Sequence, residues 1–231
     1  MILLGGGYTG RVVHEGKDYA EFFNKNGITA FVVDYRVSPH RFPLPLFDSR
    51  RAIQWVRYYA EKYGIDKNKV LIMGSSAGGH LAAITSTYFD ELSDFNINDE
   101  ISEEDFISNG QILCYPVINL VGKPGDVHFV SGINLLGEKY AELSYSLTPT
   151  NIISQKTPPA FIWHTFEDNT VNVKNSLDYA KALKDSNISV EMHIYPHGRH
   201  GLGIPVPDSK INTHVLQWLE CLINWINYIE F

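Results

Sequence analysis

Residues 74–78 read Gly-Ser-Ser-Ala-Gly and put Ser76 at the centre of a G-x-S-x-G pattern. The apolar run 70–73 precedes it with the look of a buried strand. The small, apolar stretch 77–88 follows it and suits a helix. In that strand–turn–helix setting the pattern is a nucleophile elbow. The turn is tight enough to strain the serine backbone, so its flanks must be small. The hydroxyl of Ser76 then stands exposed at the carboxyl edge of a sheet. The helix behind it contributes the positive end of its dipole and the free N–H of Ala77. A Gly/Ser-rich turn with no chemistry has the same local composition, so the rest of the chain must decide.

A nucleophilic serine needs a base and an orienting carboxylate, and one known triad order is Ser, then Asp or Glu, then His. Residues 159–164 form a strand-like run that leads into Thr165-Phe166-Glu167-Asp168-Asn169, with a helical pattern from about Val171. Asp168 therefore falls just past a strand's carboxyl end, in competition with Glu167. A solvated turn residue or an N-cap is the plainer reading of either acid. Residues 189–195 alternate apolar and polar as a half-buried strand does. They run into Pro196-His197-Gly198-Arg199-His200-Gly201-Leu202-Gly203. His200, flanked by glycines that let a loop fold back over the serine, is preferred as base to His197 and His164. His164 ends the strand that supplies the acid and reads as its neighbour. Three residues in the right order and setting weigh more than any one of them.

The chain opens Met-Ile-Leu-Leu-Gly5-Gly6-Gly7-Tyr8-Thr9-Gly10. Gly5-x-Gly7-x-x-Gly10 after a strand, with Asp34 ending the next strand-like run, also matches a dinucleotide-binding fingerprint. The helical pattern starts near His14, beyond the glycines, and a proline-rich loop at 39–45 follows Asp34, both of which weaken that reading. The alternative is an oxyanion hole, since glycine lets backbone N–H groups approach a substrate oxygen closely. Gly6, Gly7 and Ala77 are the assigned donors, with the Tyr8 N–H a further candidate.

Taken together, Gly5-Gly6-Gly7-Tyr8, Asp34-Tyr35-Arg36, the run from Gly74 to Ala82, Thr157-Pro158-Pro159, Asp168 and the stretch His200 to Gly203 resemble the α/β-hydrolase esterases and lipases with a His-Gly-Gly-Gly-type motif. Within them the chain is similar to the acetyl-esterase, acetylxylan-esterase and sugar-ester hydrolase branch. The resemblance spans nearly the whole chain. It implies Ser76 as nucleophile, Asp168 as acid and His200 as base, and it implies no cofactor. Two departures stand out. Leu4, not His, precedes the three glycines, and the sequence begins directly at that strand, so the two amino-terminal edge strands common in the group are expected either to have been cut away by truncation or to be lacking.

The elements that must position these residues alternate strand and helix, which predicts an α/β fold with a mostly parallel sheet flanked by helices. Strands are expected near 1–4, 28–34, 70–74, 110–115, 159–164 and 189–195, and helices near 15–26, 47–63, 77–88, 171–186 and 209–229. With 231 residues, 44% of them hydrophobic, one domain over 1–231 can bury its own core. Residues 117–148 lie between two strands and carry Phe129, Val130, Ile133, Leu135, Leu136 and Tyr140. They are expected to form a small cap over the serine or a plain surface helix pair. Residues 90–105 are rich in acids, and no Lys or Arg occurs from Val70 to Gly122. A solvated excursion is the expectation there, with an anion-repelling lip as its functional counterpart.

A net charge of −7 disfavours nucleic acid and anionic membranes as partners. No run is long enough to cross a bilayer. Cys114 and Cys221 are expected as free thiols in a reducing cytoplasm, and no metal-spaced cluster appears. A small-molecule ester is the expected partner, on a monomer or homodimer. The expected chemistry is acyl transfer on short-chain acyl esters, acetylated sugars among them. The alternatives are a serine peptidase of the prolyl-oligopeptidase type, a non-catalytic hydrolase-fold protein and the dinucleotide module.

Overall fold

The computed structural model describes residues 1–92 and 97–229. Six parallel strands form one sheet: β1 (Ile2–Leu3), β2 (Val32–Val33), β3 (Leu71–Ser75), β4 (Gly110–Cys114), β5 (Ala160–Thr165) and β6 (Val190–Tyr195), in the order β2-β1-β3-β4-β5-β6. The central strands read as unbroken apolar runs because helices cover both faces. Alternate side chains sort to the two sides: Ile72, Leu113 and Ile162 join one core, and Met73, Ile112, Cys114, Phe161 and Trp163 the other.

The first core is closed by α2 (Leu44–Tyr58), α4 (Ala77–Thr85) and α7 (Lys174–Asp185). The second is closed by α1 (Val13–Lys25), α8 (Lys210–Val215) and α9 (Gln217–Tyr228). On that second face the Trp163 and Trp218 rings stack at 4.9 Å, an offset arrangement aromatic pairs favour.

Several boundaries differ from expectation. The strand expected over 28–34 contributes only Val32–Val33, since it pairs with β1 alone and leaves Val32 exposed at the sheet edge. The helix expected from 47 starts at Leu44, inside the proline-rich stretch, with Pro45 in its first turn. Proline is tolerated there because first-turn N–H groups have no intrahelical partner. It breaks at Tyr59 before the short α3 (Ala60–Tyr63), which Gly64 ends in a left-handed conformation. The last helix likewise divides at Leu216.

The segment 117–148 carries α5 (Phe129–Leu136) and α6 (Tyr140–Leu143). Leu135 and Leu136 pack into the first core, whereas Phe129, Val130 and Ile133 are exposed. In the acidic stretch, Asp94 lies outside the described residues. Its flanks fold back on α2: Arg51 bonds Asp99, Arg57 bonds the carbonyls of Asp105 and Ile107, and Arg50 that of Asp90. Those contacts account for the excursion as a surface segment. Cys114 and Cys221 are free, and burial pushes the Cys114 thiol up to about 12, which keeps it inert.

Candidate active site

Ser76 sits between β3 and α4 with φ 53° and ψ −119°, a strained backbone for a residue with a Cβ. Three contacts hold it there. Its N–H donates to the Cys114 carbonyl at 3.0 Å, and its own carbonyl accepts from Val117 N at 3.0 Å and His80 N at 3.1 Å. The glycines around it are sterically required: a Cβ on Gly74 would lie 2.0 Å from the Gly78 carbonyl oxygen, and one on Gly78 2.3 Å from that of Leu3.

The carboxyl ends of β3, β5 and β6 converge. His200 Nε2 lies 2.8 Å from Ser76 Oγ, and His200 Nδ1 lies 2.6 Å from Asp168 Oδ2. The Asp168 side chain is fully buried. Burial pushes its carboxyl up. Hydrogen bonds from His164 and His200, the His200 charge and the Val171 N–H outweigh this and hold it well below the usual carboxylate range. An ionised Asp168 can only accept, so His200 carries its proton on Nδ1 and presents a lone pair on Nε2 to the serine hydroxyl.

Asp168 is itself held on both oxygens. Oδ1 accepts from Thr170 N at 2.9 Å and Val171 N at 2.8 Å. Oδ2 has a second imidazole partner, His164 Nε2 at 3.1 Å. That nitrogen also faces the Val171 carbonyl at 2.9 Å, while His164 Nδ1 faces Ser176 Oγ at 2.8 Å. Two acceptors at Nε2 make it the protonated nitrogen, so Nδ1 accepts from Ser176. His164 is thus a fully buried neighbour of the acid and does not reach Ser76. Glu167 and His197 pair with each other instead, at 2.7 Å on the surface. Of the competing acids and histidines, only Asp168 and His200 join Ser76.

The His200 loop reaches back as its glycines allow. Gly198, Gly201 and Gly203 all have positive φ, and Thr165 Oγ1 donates to the Gly198 carbonyl at 2.8 Å. The Tyr115 ring packs edge-on against His200 at 5.1 Å between centroids, and its hydroxyl accepts from Gly203 N at 3.0 Å.

Across the site, the loop 5–10 turns its carbonyls away. Gly6 O accepts from Thr9 N and Gly10 N, Gly7 O from Asn134 Nδ2 of α5 at 2.8 Å, and Tyr8 O from Ser38 N at 2.7 Å. A Cβ on Gly6 would fall 2.4 Å from the Gly10 carbonyl oxygen. Ala77 opens α4, so its N–H lacks an intrahelical acceptor. Leu4, at the departure from the motif, is buried and accepts Tyr35 OH on its carbonyl at 2.6 Å. The same loop does not open a helix, since α1 begins at Val13, and Asp34 is ion-paired with Arg11. The geometry a pyrophosphate site needs is therefore missing at Gly5–Gly10. Among the described residues no cluster of His, Cys, Asp and Glu could hold a metal, and no helix is long and apolar enough to cross a membrane.

Sequence reasoning missed three participants. Glu15 is buried beneath the site, accepting Gly5 N at 2.7 Å and Tyr115 OH at 2.7 Å. By sequence it is an ordinary acid in a helix's first turn. Tyr115 carried no signal. His80, inside the elbow run, bridges Tyr8 OH at 2.8 Å and the Leu147 carbonyl at 2.9 Å. Burial pushes it down to about 4.

A parallel sheet covered on both faces, with a serine elbow, a carboxylate and a histidine past the carboxyl ends of β3, β5 and β6, defines an α/β-hydrolase. Solved structures agree: an acetyl ester-xyloside bifunctional hydrolase from Caldicellulosiruptor lactoaceticus superposes with TM-score 0.88 at 41% identity, over 99% of this chain and 83% of that one. Propionate-bound esterase 2 of Thermogutta terrifontis superposes with TM-score 0.79 at 26% identity, over 100% and 84%. Residues 1–183 match the BD-FAE family model, and the chain belongs to that family. The acetylxylan esterase of Xylanibacter ruminicola is 34% identical over 97% of this chain, and endo-1,4-beta-xylanase B of Butyrivibrio fibrisolvens 36% identical over 88%. This chain spans 44% and 32% of those two proteins, less than half of either.

Proposed function

We propose that this chain is a serine carboxylic-ester hydrolase that removes short acyl groups, acetyl foremost, from acylated sugars. The observation that carries the reading is the hydrogen-bonded series Ser76 Oγ–His200 Nε2 and His200 Nδ1–Asp168 Oδ2 at 2.8 and 2.6 Å. The sugar ester is supported by the names of relatives, an acetylxylan esterase and an acetyl ester-xyloside hydrolase. The covalent step is supported by the same Thermogutta esterase, which has also been captured phosphonylated by sarin.

His200 Nε2 takes the Ser76 proton as Oγ attacks the ester carbonyl carbon. Asp168 keeps the imidazole in the reactive tautomer and stabilises the imidazolium. The N–H groups of Gly6, Gly7 and Ala77 receive the charge that develops on the carbonyl oxygen. His200 returns the proton to the departing alcohol oxygen as the carbon–oxygen bond breaks, leaving an acyl-serine. Water then gives a proton to His200 and attacks the acyl carbon, and His200 returns that proton to Ser76 Oγ as its bond to the acyl carbon breaks, releasing the carboxylic acid and restoring Ser76. Segment 117–148 serves as a small cap whose Asn134 steadies Gly7 from above. The domain spans 1–231, and a reducing cytoplasmic setting suits its free thiols.

The test is hydrolysis of p-nitrophenyl acetate, butyrate and octanoate, and release of acetate from acetylated xylo-oligosaccharides, by wild type and Ser76→Ala. Turnover highest on acetate and lost in the variant is expected. Equal turnover by a folded Ser76→Ala refutes the assignment.

A further inference from the structure

We propose that Glu15 is a positioning residue for this reaction: its buried carboxylate ties the glycine loop to the histidine loop and sets a second negative charge beneath His200. The proposal rests on the ester-hydrolase reading above, but its geometry does not. One oxygen accepts from Gly5 N at 2.7 Å, at the root of the loop assigned to the oxyanion. The other accepts from Tyr115 OH at 2.7 Å, and that hydroxyl accepts in turn from Gly203 N at 3.0 Å, three residues past His200. Two segments almost two hundred residues apart are thereby joined through one side chain.

The fit leaves no slack. A Cβ on Gly5 would meet the Glu15 oxygen at 2.6 Å and the Ser76 Cβ at 3.1 Å, so the carboxylate reaches the loop only because residue 5 has no side chain. Tyr115 adopts φ 37° to bring its ring against His200 and its hydroxyl under Gly203.

The titratable groups facing Glu15 are His14 and Tyr19 from its own helix, Tyr35 beyond β2, Cys114 and Tyr115 at the end of β4, and His200. Only the two histidines can carry positive charge, and neither hydrogen-bonds it. Burial therefore raises the Glu15 carboxyl above its ordinary value, although the Tyr115 and Gly5 hydrogen bonds oppose this. A buried carboxylate with only neutral donors costs stability. Its gain lies in the site, where an imidazolium must form at His200.

Glu15→Gln keeps an acceptor for Gly5 N and a polar contact to Tyr115 while removing the charge. On p-nitrophenyl acetate its kcat is expected to fall about tenfold with KM within about twofold. The acid limb of kcat/KM should move to lower pH, because one negative charge near the imidazole has gone. Its melting temperature at pH 8 should not drop, since a buried charge has been removed. A merely structural glutamate would instead lose melting temperature and leave the limb in place, and either that result or unchanged kcat with an unchanged profile overturns the proposal.

Amide hydrogen exchange supplies an arm that needs no turnover. Glu15→Ala should speed exchange at Gly5 and Gly203 together by about tenfold or more, and Tyr115→Phe at Gly203 alone. Unchanged exchange overturns the tie even in an inactive protein. Coupled exchange without Ser76-dependent turnover in wild type would instead mark failure of the esterase reading.

Discussion

Replacing Asp168 by Asn tests the site at the point where the structure makes the strongest demand. The substituted amide can satisfy the Thr170 and Val171 N–H donors only with its oxygen on the Oδ1 side. Its NH₂ then faces His200 Nδ1 and His164 Nε2, where Asp168 Oδ2 now accepts both. His200 must respond by moving its proton to Nε2, where it can no longer take the serine proton. The productive tautomer is restored only by flipping the amide, which sets its NH₂ against two backbone donors. Two buried donors left unpaired cost about 1–3 kcal/mol each, so roughly 2–6 kcal/mol. At about 1.4 kcal/mol per decade that is a loss of about 30-fold to about 10⁴-fold. Removing the charge that stabilises the imidazolium places the expected fall in kcat near the upper end, about 10⁴.

The assay is kcat on p-nitrophenyl acetate from pH 6 to 9, with Glu167→Gln as control. Glu167 is exposed and pairs only with the His197 loop, so its replacement should change kcat by no more than about threefold. Retention of a tenth or more of wild-type kcat by Asp168→Asn, or a larger loss in the control, refutes the reasoning. Stability offers a second check. The Asp168 carboxyl is depressed in the folded state, so its contribution is present above the unfolded value of 3.8 and lost as pH falls below it. The melting-temperature deficit of Asp168→Asn at pH 7 should therefore narrow in acid.

Two further outcomes are expected. His80, pushed down to about 4 by complete burial, must stay neutral in the folded protein, so wild-type stability should fall as pH drops from 6.5 towards 4. The loss can reach about 3 kcal/mol, and denaturant titrations of His80→Gln should show a flatter profile over that window. Gly6→Ala, whose Cβ would strike the Gly10 carbonyl at φ 131°, should cost about 10² to 10³ in kcat through displaced oxyanion donors while global melting changes little. A kcat within about threefold of wild type would remove Gly6 from that role.

The amino-acid sequence by itself determined the order of strands and helices, the elbow at Ser76 and the reach of the loop holding His200. These are local matters: apolar runs select buried strands, and a turn tight enough to strain serine needs glycine at Gly74 and Gly78 whatever surrounds it. Helix α2 began earlier than its composition suggested because proline breaks a helix interior but not its first turn. The edge strand β2 was shorter because strand length depends on a partner that sequence does not display.

The sequence already prefers His200 to His164 and His197 and leaves Asp168 in competition with Glu167; tertiary structure adds that only Asp168 and His200 share a hydrogen-bonded series with Ser76, while Glu167 pairs with His197 at the surface. Glu15 shows the same limit most plainly. In sequence it is a first-turn acid like any solvated one, and only the packing of α1 against the sheet at β1 turns it into a buried carboxylate shared by Gly5 and Tyr115. Burial and long-range hydrogen bonding are properties of the assembled chain, because they depend on what lies across the space a residue faces and not on what lies beside it in sequence.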